Sequence, residues 1–243
     1  MSGLSRNTNP MPGIPADERP HGAWMRILRW IGSRELSVLV VLFLLFSALL
    51  GFVELAEEVM EGGTGSFDRT VLLAMRDASD PSSPIGPGWV EEMGRDITAP
   101  GSIVVLTMTT LAIIGFLLLD GKRRAALMLL IASVGALGIS TMLKQAFDRP
   151  RPDLVPHAST LYTASFPSGH SMLAASTYLT ICVLLTQVQR RRTIKAYILI
   201  CAILVTLLVG ISRVYLGVHW PTDVLAGWTA GTGWALLCWL SAR

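Results

Sequence analysis

The chain has 243 residues, of which 51% are hydrophobic and 15% charged, and a formal net charge of +3. Soluble domains carry about 25% charged residues, so this composition excludes a disordered chain, a disulfide-stapled secreted module and an ordinary cytosolic enzyme. The cysteines Cys182, Cys201 and Cys238 all sit inside apolar runs. An odd set so placed argues against a disulfide framework and against a zinc site.

In chain order, residues 1–20 are rich in Pro, Asn, Ser and Gly and read as disordered. Leu36–Val53 is the first run free of Asp, Glu, Lys and Arg. A cleaved signal peptide fits it poorly, because a long segment precedes it and no clean small-residue cleavage pattern follows. A retained first span is expected. Glu54–Asp96 comes next, with ten acids against three arginines. Phe67, Val71, Ala74 and Met75 fall at helical spacing within it, which fits a short amphipathic helix at a membrane surface. A solvated spacer is the other reading. Pro81–Gly88 then breaks the chain.

Further charge-free runs follow at Ile97–Leu119, Ala125–Leu143, Ala196–Ser212 and Val224–Ala242. The uncharged stretch Leu154–Gln189 begins as a loop and turns apolar from Gly169. Each run approaches the roughly 17–25 residues that a bilayer-crossing helix needs. Buried helices of a soluble bundle would instead show a polar face every turn or two. The expected fold is therefore an all-α, polytopic membrane protein with six transmembrane helices and a short amphipathic helix in the first outer segment. Residues 36–243 form its membrane domain, with outer segment 54–96, and residues 1–35 precede it as a cytoplasmic segment.

Orientation follows from the connections. Arg26, Arg29 and Arg34 precede the first run, Lys122, Arg123 and Arg124 the third, and Arg190, Arg191, Arg192 and Lys195 the fifth. The positive-inside tendency puts these, and both termini, in the cytoplasm. The first, third and fifth connections then lie outside.

The remaining polar residues gather at run ends. Lys144 closes the third run, followed by Asp148, Arg149, Arg151 and Asp153. Pro167-Ser168-Gly169-His170 opens the fourth, Ser212-Arg213 closes the fifth, and His219 through Asp223 opens the sixth. Alternating topology brings all four ends to the outer face. Arg offers a planar fork of donors to phosphate oxygens and Lys a compact charge. Ser168-Gly169 at a helix start can present backbone N–H groups to an anion. Asp223, four residues from His219, can fix one imidazole nitrogen and leave the other as a nucleophile. Taken singly these residues have plainer readings. Lys144 can merely snorkel, Trp220, Tyr162 and Tyr215 can be interfacial anchors, and Ser168 can be a cap. His21 and His157 have no partners in sequence and read as bystanders.

Lys144-Gln-Ala-Phe-Asp-Arg-Pro-Arg-Pro152 resembles the K-x6-R-P motif of the type 2 phosphatidic acid phosphatase family. Pro167-Ser-Gly-His170 is similar to its P-S-G-H motif, and Ser212 through Asp223 to S-R-x5-H-x3-D. The resemblance implies metal-independent hydrolysis of a lipid phosphate or diphosphate through a phosphohistidine, with no cofactor. His219 would be the nucleophile, Asp223 its orienting carboxylate and His170 the general acid. Lys144, Arg151, Ser168, Gly169 and Arg213 would bind phosphate. Arg149 either assists or faces solvent. Polyprenyl diphosphate, such as undecaprenyl diphosphate, phosphatidylglycerol phosphate and phosphatidic acid are family-type substrates. The expected surroundings are the plasma (inner) membrane, with the active site facing the periplasm or exterior. The partners are the bilayer and a lipid, not nucleic acid. A phosphotransferase would use the same histidine with another acceptor. A lipid transporter fits less well, since transport places ionisable groups near mid-membrane.

Overall fold

The computed structural model describes residues 21–153 and 164–242, with side chains from Glu35 onward. The expectations for residues 1–20, for the His21, Arg26, Arg29 and Arg34 side chains, and for His157 and Tyr162 lie outside the described residues. The chain divides into two compact units, residues 1–40 and 41–243. The described part of the first is the beginning of helix α1 (His21–Met60).

The second unit holds the rest of α1 and helices α2 (Gly65–Leu73), α3 (Gly88–Thr98), α4 (Ile103–Leu119), α5 (Arg123–Phe147), α6 (Gly169–Val188), α7 (Arg192–Tyr215) and α8 (Pro221–Ser241). Among the described residues there is no strand, only an isolated bridge between Arg76 and Pro84. Helix α1 runs past the charge-free stretch through Glu54, Glu57 and Glu58. Leu36, Phe43 and Phe46 are each more than half exposed, at 62, 68 and 61%. Apolar faces this open mark a surface that meets lipid or protein, not water.

Four helical segments are long and apolar enough to cross a membrane: Glu35–Met60, α5, α6 and α7. Helices α3 and α4, with the short turn Ala99–Gly101 between them, make a fifth if the pair is one crossing bent by 45°. The run Ile97–Leu119 is thus not one straight helix. Pro100 removes a backbone donor next to Gly101, and Ser102 Oγ restarts the helix by accepting from the Val105 N–H at 3.3 Å. Helix α8 is not among the four. Thr222, Asp223, Thr229 and Thr232, with its glycines and tryptophans, lower its mean hydropathy.

Helix α6 lies at the centre, packed by α5, α7 and α8, and every residue from Ser171 to Thr177 is buried. Small side chains let backbones approach closely in membrane helix pairs. The α6–α8 contact uses this, because a Cβ on Gly227 would fall 2.6 Å from Ser168 O and 2.8 Å from Ser171 Cβ.

Between α1 and α4 lie two helices. Helix α2 falls within the stretch marked by Phe67, Val71, Ala74 and Met75, but its buried side chains are Asp68 and Leu72, and Phe67 is half exposed. Leu72 packs with Val214 and Val224. Helix α3, which no sequence periodicity signalled, packs on α7. Arg76 fastens the intervening loop, donating to Tyr215 O at 3.0 Å. That places a cation at the C-terminal end of α7, where the helix dipole favours it.

Candidate active site

Helix α5 stops at Asp148, whose φ of 42° is left-handed. Beyond it the backbone is held extended by Pro150 and Pro152, since the residue before a proline is kept out of the helical region. Arg149 and Arg151 are thereby presented on a fixed strap. Ser165 N donates to Arg149 O at 2.8 Å, pairing the strap with the chain entering α6. Phe166 anchors that entry, buried against Phe147 and Phe52 at centroid distances of 5.0 and 5.9 Å. Ser168 N donates to Asp223 O at 2.9 Å, tying the start of α6 to the start of α8.

His219 and Asp223 meet at that second start. Trp220 is extended and Pro221 opens α8, so the carboxylate turns back over the entrance. Asp223 Oδ2 accepts from Trp220 N at 2.9 Å and also from Ser165 Oγ. It lies 3.4 Å from His219 Nδ1. On the other side of the ring, Arg151 Nη1 is 3.3 Å from His219 Nε2 and donates to Val218 O at 2.8 Å. A guanidinium has only donors, so Nε2 must be the accepting nitrogen and the proton sits on Nδ1, toward Asp223. The lone pair is therefore on Nε2, the atom nearest the cations. Burial pushes the His219 imidazole down from its usual range to about 3; Asp223 opposes that shift, while Arg213 and Arg151 reinforce it. Burial also lowers the Arg151 guanidinium from its ordinary value, with Asp223 opposing.

The other predicted site residues converge on the same place. His170, the second residue of α6, is within electrostatic reach of Arg213, His219, Arg151 and Lys144. Lys144 Nζ donates to Ala164 O at 2.6 Å. Arg213, 8% exposed, donates from Nη1 to Thr98 Oγ1 at 3.2 Å, and its Nε is buried without a hydrogen-bond partner. Ser168 is fully buried and its Oγ accepts from Ser171 Oγ at 3.0 Å. Its amide is committed to Asp223 O at 2.9 Å and is not free for the anion contact expected of it. A Cβ on Gly169 would sit 3.6 Å from Lys144 Cε, so the glycine keeps the space beside that ammonium open.

Four residues that sequence reading did not assign complete the arrangement. Arg149 does not face solvent. It donates from Nη1 to Asp223 Oδ1 at 2.7 Å and to Thr222 Oγ1 at 2.8 Å, and from Nη2 to Asp68 Oδ2 at 2.7 Å. Asp68 accepts in turn from Thr222 N at 2.9 Å and Thr222 Oγ1 at 2.7 Å. Ser165 is the fourth, with Oγ also 3.4 Å from His219 Nδ1. The tandem Arg-Pro signal marked Arg149, but nothing local marked Asp68.

The pocket sets cations around an oriented imidazole, and comparison with known proteins gives the family of the chain. The family model for the PAP2 superfamily matches residues 124–243. Phosphatidylglycerophosphatase B of Bacillus subtilis is 34% identical over 189 residues, covering 76% of this chain and 88% of the relative. The chain belongs to the PAP2 superfamily. A second relative, undecaprenyl-diphosphatase of Sulfolobus acidocaldarius, is 31% identical over 121 residues, 48% of this chain and 54% of its own. The crystal structure of a transmembrane PAP2 type phosphatidylglycerolphosphate phosphatase from Bacillus subtilis matches with a TM-score of 0.69 at 30% identity, over 81% of this chain and 94% of that one. As a PAP2 member this protein is a PAP2-type lipid phosphatase, and its several long apolar helices fit a multi-pass membrane protein. Asp68 lies outside the stretch the family model matches, on a helix ahead of it.

Proposed function

We propose that this PAP2 enzyme hydrolyses a lipid phosphate or diphosphate of the phosphatidylglycerol phosphate, polyprenyl diphosphate or phosphatidic acid type through a phosphohistidine on His219, without metal. The observation that carries this is the imidazole itself: its Nε2 lone pair faces Arg151 while Asp223 takes the other nitrogen. An incoming phosphate oxygen takes over the Arg151 donor and frees the lone pair. Nε2 then attacks phosphorus, the bond to the leaving oxygen breaks, and His170 delivers a proton to that oxygen. Water attacks the phosphohistidine in the second step, its proton passes to His170, the N–P bond breaks and inorganic phosphate leaves. Lys144, Arg151, Arg213, the Ser168 hydroxyl and the helix start at Gly169 stabilise the charge on the equatorial oxygens. Arg213 Nε, a buried donor with no acceptor among the described residues, fits that task.

The six charge-free runs support six crossings, with α3–α4 as the bent second and α8 as the sixth. The basic connections Asp120–Arg124 and Arg190–Lys195 and both termini then lie in the cytoplasm of a plasma (inner) membrane. The catalytic ends face the periplasm or exterior. A substrate keeps its chains in the bilayer while its headgroup reaches His219.

Phosphate release by the detergent-purified full-length protein across those three lipid types tests the reading. At least one lipid is expected to be hydrolysed, with His219→Ala at background. Equal release by His219→Ala overturns it.

A further inference from the structure

Asp68 is a buried carboxylate, 1% exposed, on α2, a helix of the outer segment. Its charged partner is Arg149, and Arg149 is shared. One guanidinium lies 2.7 Å from Asp68 Oδ2 and 2.7 Å from Asp223 Oδ1. The other partners of Asp68 are the neutral amide and hydroxyl of Thr222. We propose that Asp68 and Arg149 are positioning residues that set how much of the Asp223 negative charge reaches His219, and so how basic the nucleophile is. This rests on reading His219 as the nucleophile.

Two features of the geometry carry it. Arg149 occupies Oδ1 of Asp223, so the carboxylate cannot rotate and Oδ2 stays turned to His219 Nδ1. The charges also form a chain in which Arg149 separates two carboxylates. Removing Arg149 leaves both acids uncompensated and strengthens the pull of Asp223 on a proton at His219. Removing the Asp68 charge leaves Arg149 to Asp223 alone and weakens that pull. The two substitutions therefore move the imidazole in opposite directions. Among the described residues, the other charged or titratable groups near His219 are Arg151 from the strap, Arg213 from α7 and His170 from α6, with Lys144 from α5 acting on His170, and all are unchanged in both variants. Docking of α2 thus makes the outer segment part of the catalytic apparatus.

The test uses full-length protein and whichever lipid phosphate it hydrolyses, with Asp68→Asn, Arg149→Met, the double variant and His219→Ala. The readout is the acid limb of kcat, which reports groups in the substrate complex. Arg149→Met is expected to move that limb to higher pH, Asp68→Asn to lower pH, and the double variant back toward the parent. Displacing the imidazole costs roughly 10–100-fold in kcat, with KM nearly unchanged, because neither side chain touches substrate. If Arg149→Met does not fold, Asp68→Asn decides: a limb at lower pH supports the proposal and an unmoved limb overturns it. Limbs that coincide or shift together, or a loss confined to KM, overturn it as well. If His219→Ala keeps the parent rate, the nucleophile assignment itself has failed and not only this extension of it.

Discussion

His219 sits 2% exposed with cations on one side and a carboxylate on the other, and the balance keeps it neutral. The folded protein holds its imidazole at about 3, against an ordinary value near 6.5, chiefly through burial. Between those values the unfolded chain binds a proton that the folded chain refuses. Stability is therefore fully present above about 6.5 and declines as the pH falls toward 3. At pH 5 the imidazole alone should cost about 2 kcal/mol relative to pH 7. Melting temperatures of the parent and of His219→Gln, measured in detergent from pH 7 to 5, should show the parent falling more steeply. Parallel curves would mean that His219 is not held neutral by the fold. Arg149 shows the other face of the same electrostatics. It carried a sequence signal as half of Arg-Pro-Arg-Pro, but its partners lie 74 and 81 residues away, at Asp223 and Asp68. No spacing rule reaches across that separation.

At the level of the helices, the catalytic groups are only as well placed as the α6–α8 contact. The start of α6 supplies Gly169 and His170, with Ser168 just before it, helix α8 supplies Asp223, and the two backbones meet at Gly227. A methyl there collides with Ser168 O and Ser171 Cβ, so Gly227→Ala should destabilise by about 1–3 kcal/mol through overpacking. Because it pushes the two halves of the site apart, it should also lower kcat. Gly51→Ala on α1 is the control, since nothing lies within 4 Å of that Cβ and both measurements should stay at parent values. Thermal melting and phosphate release on the two variants check this. The helix ends were largely legible because a bilayer tolerates charge so poorly that charge-free runs outline the helices. The bend before α4 was marked by Pro100-Gly101, inside a run that charge counting alone treats as continuous. Helix α2 was legible as a helix but not in its facing. Its apolar spacing pointed to Phe67 and Val71, whereas the side that docks is defined by Leu72 and by Asp68, whose burial depends on Arg149.

For the whole molecule, the net charge of +3 hides an uneven distribution along the chain. The acids concentrate in Glu54–Asp96, and short basic clusters lie between helices. The few charges left at the remaining helix ends converge on one pocket. Lys144, Arg151, His170, Arg213, His219 and Asp223 come from four separate stretches of sequence, and helical packing alone unites them. Membership of the PAP2 superfamily makes the protein a lipid phosphatase, and the proposed mechanism gives the covalent step to a single atom, His219 Nε2. Rapid quenching of the full-length protein with substrate labelled in its phosphate tests that assignment most directly. The prediction is a transient label on His219 that is stable to base and labile to acid, absent from His219→Ala and accumulating when His170→Ala slows its hydrolysis. Turnover at the parent rate with no labelled protein at any time would contradict it.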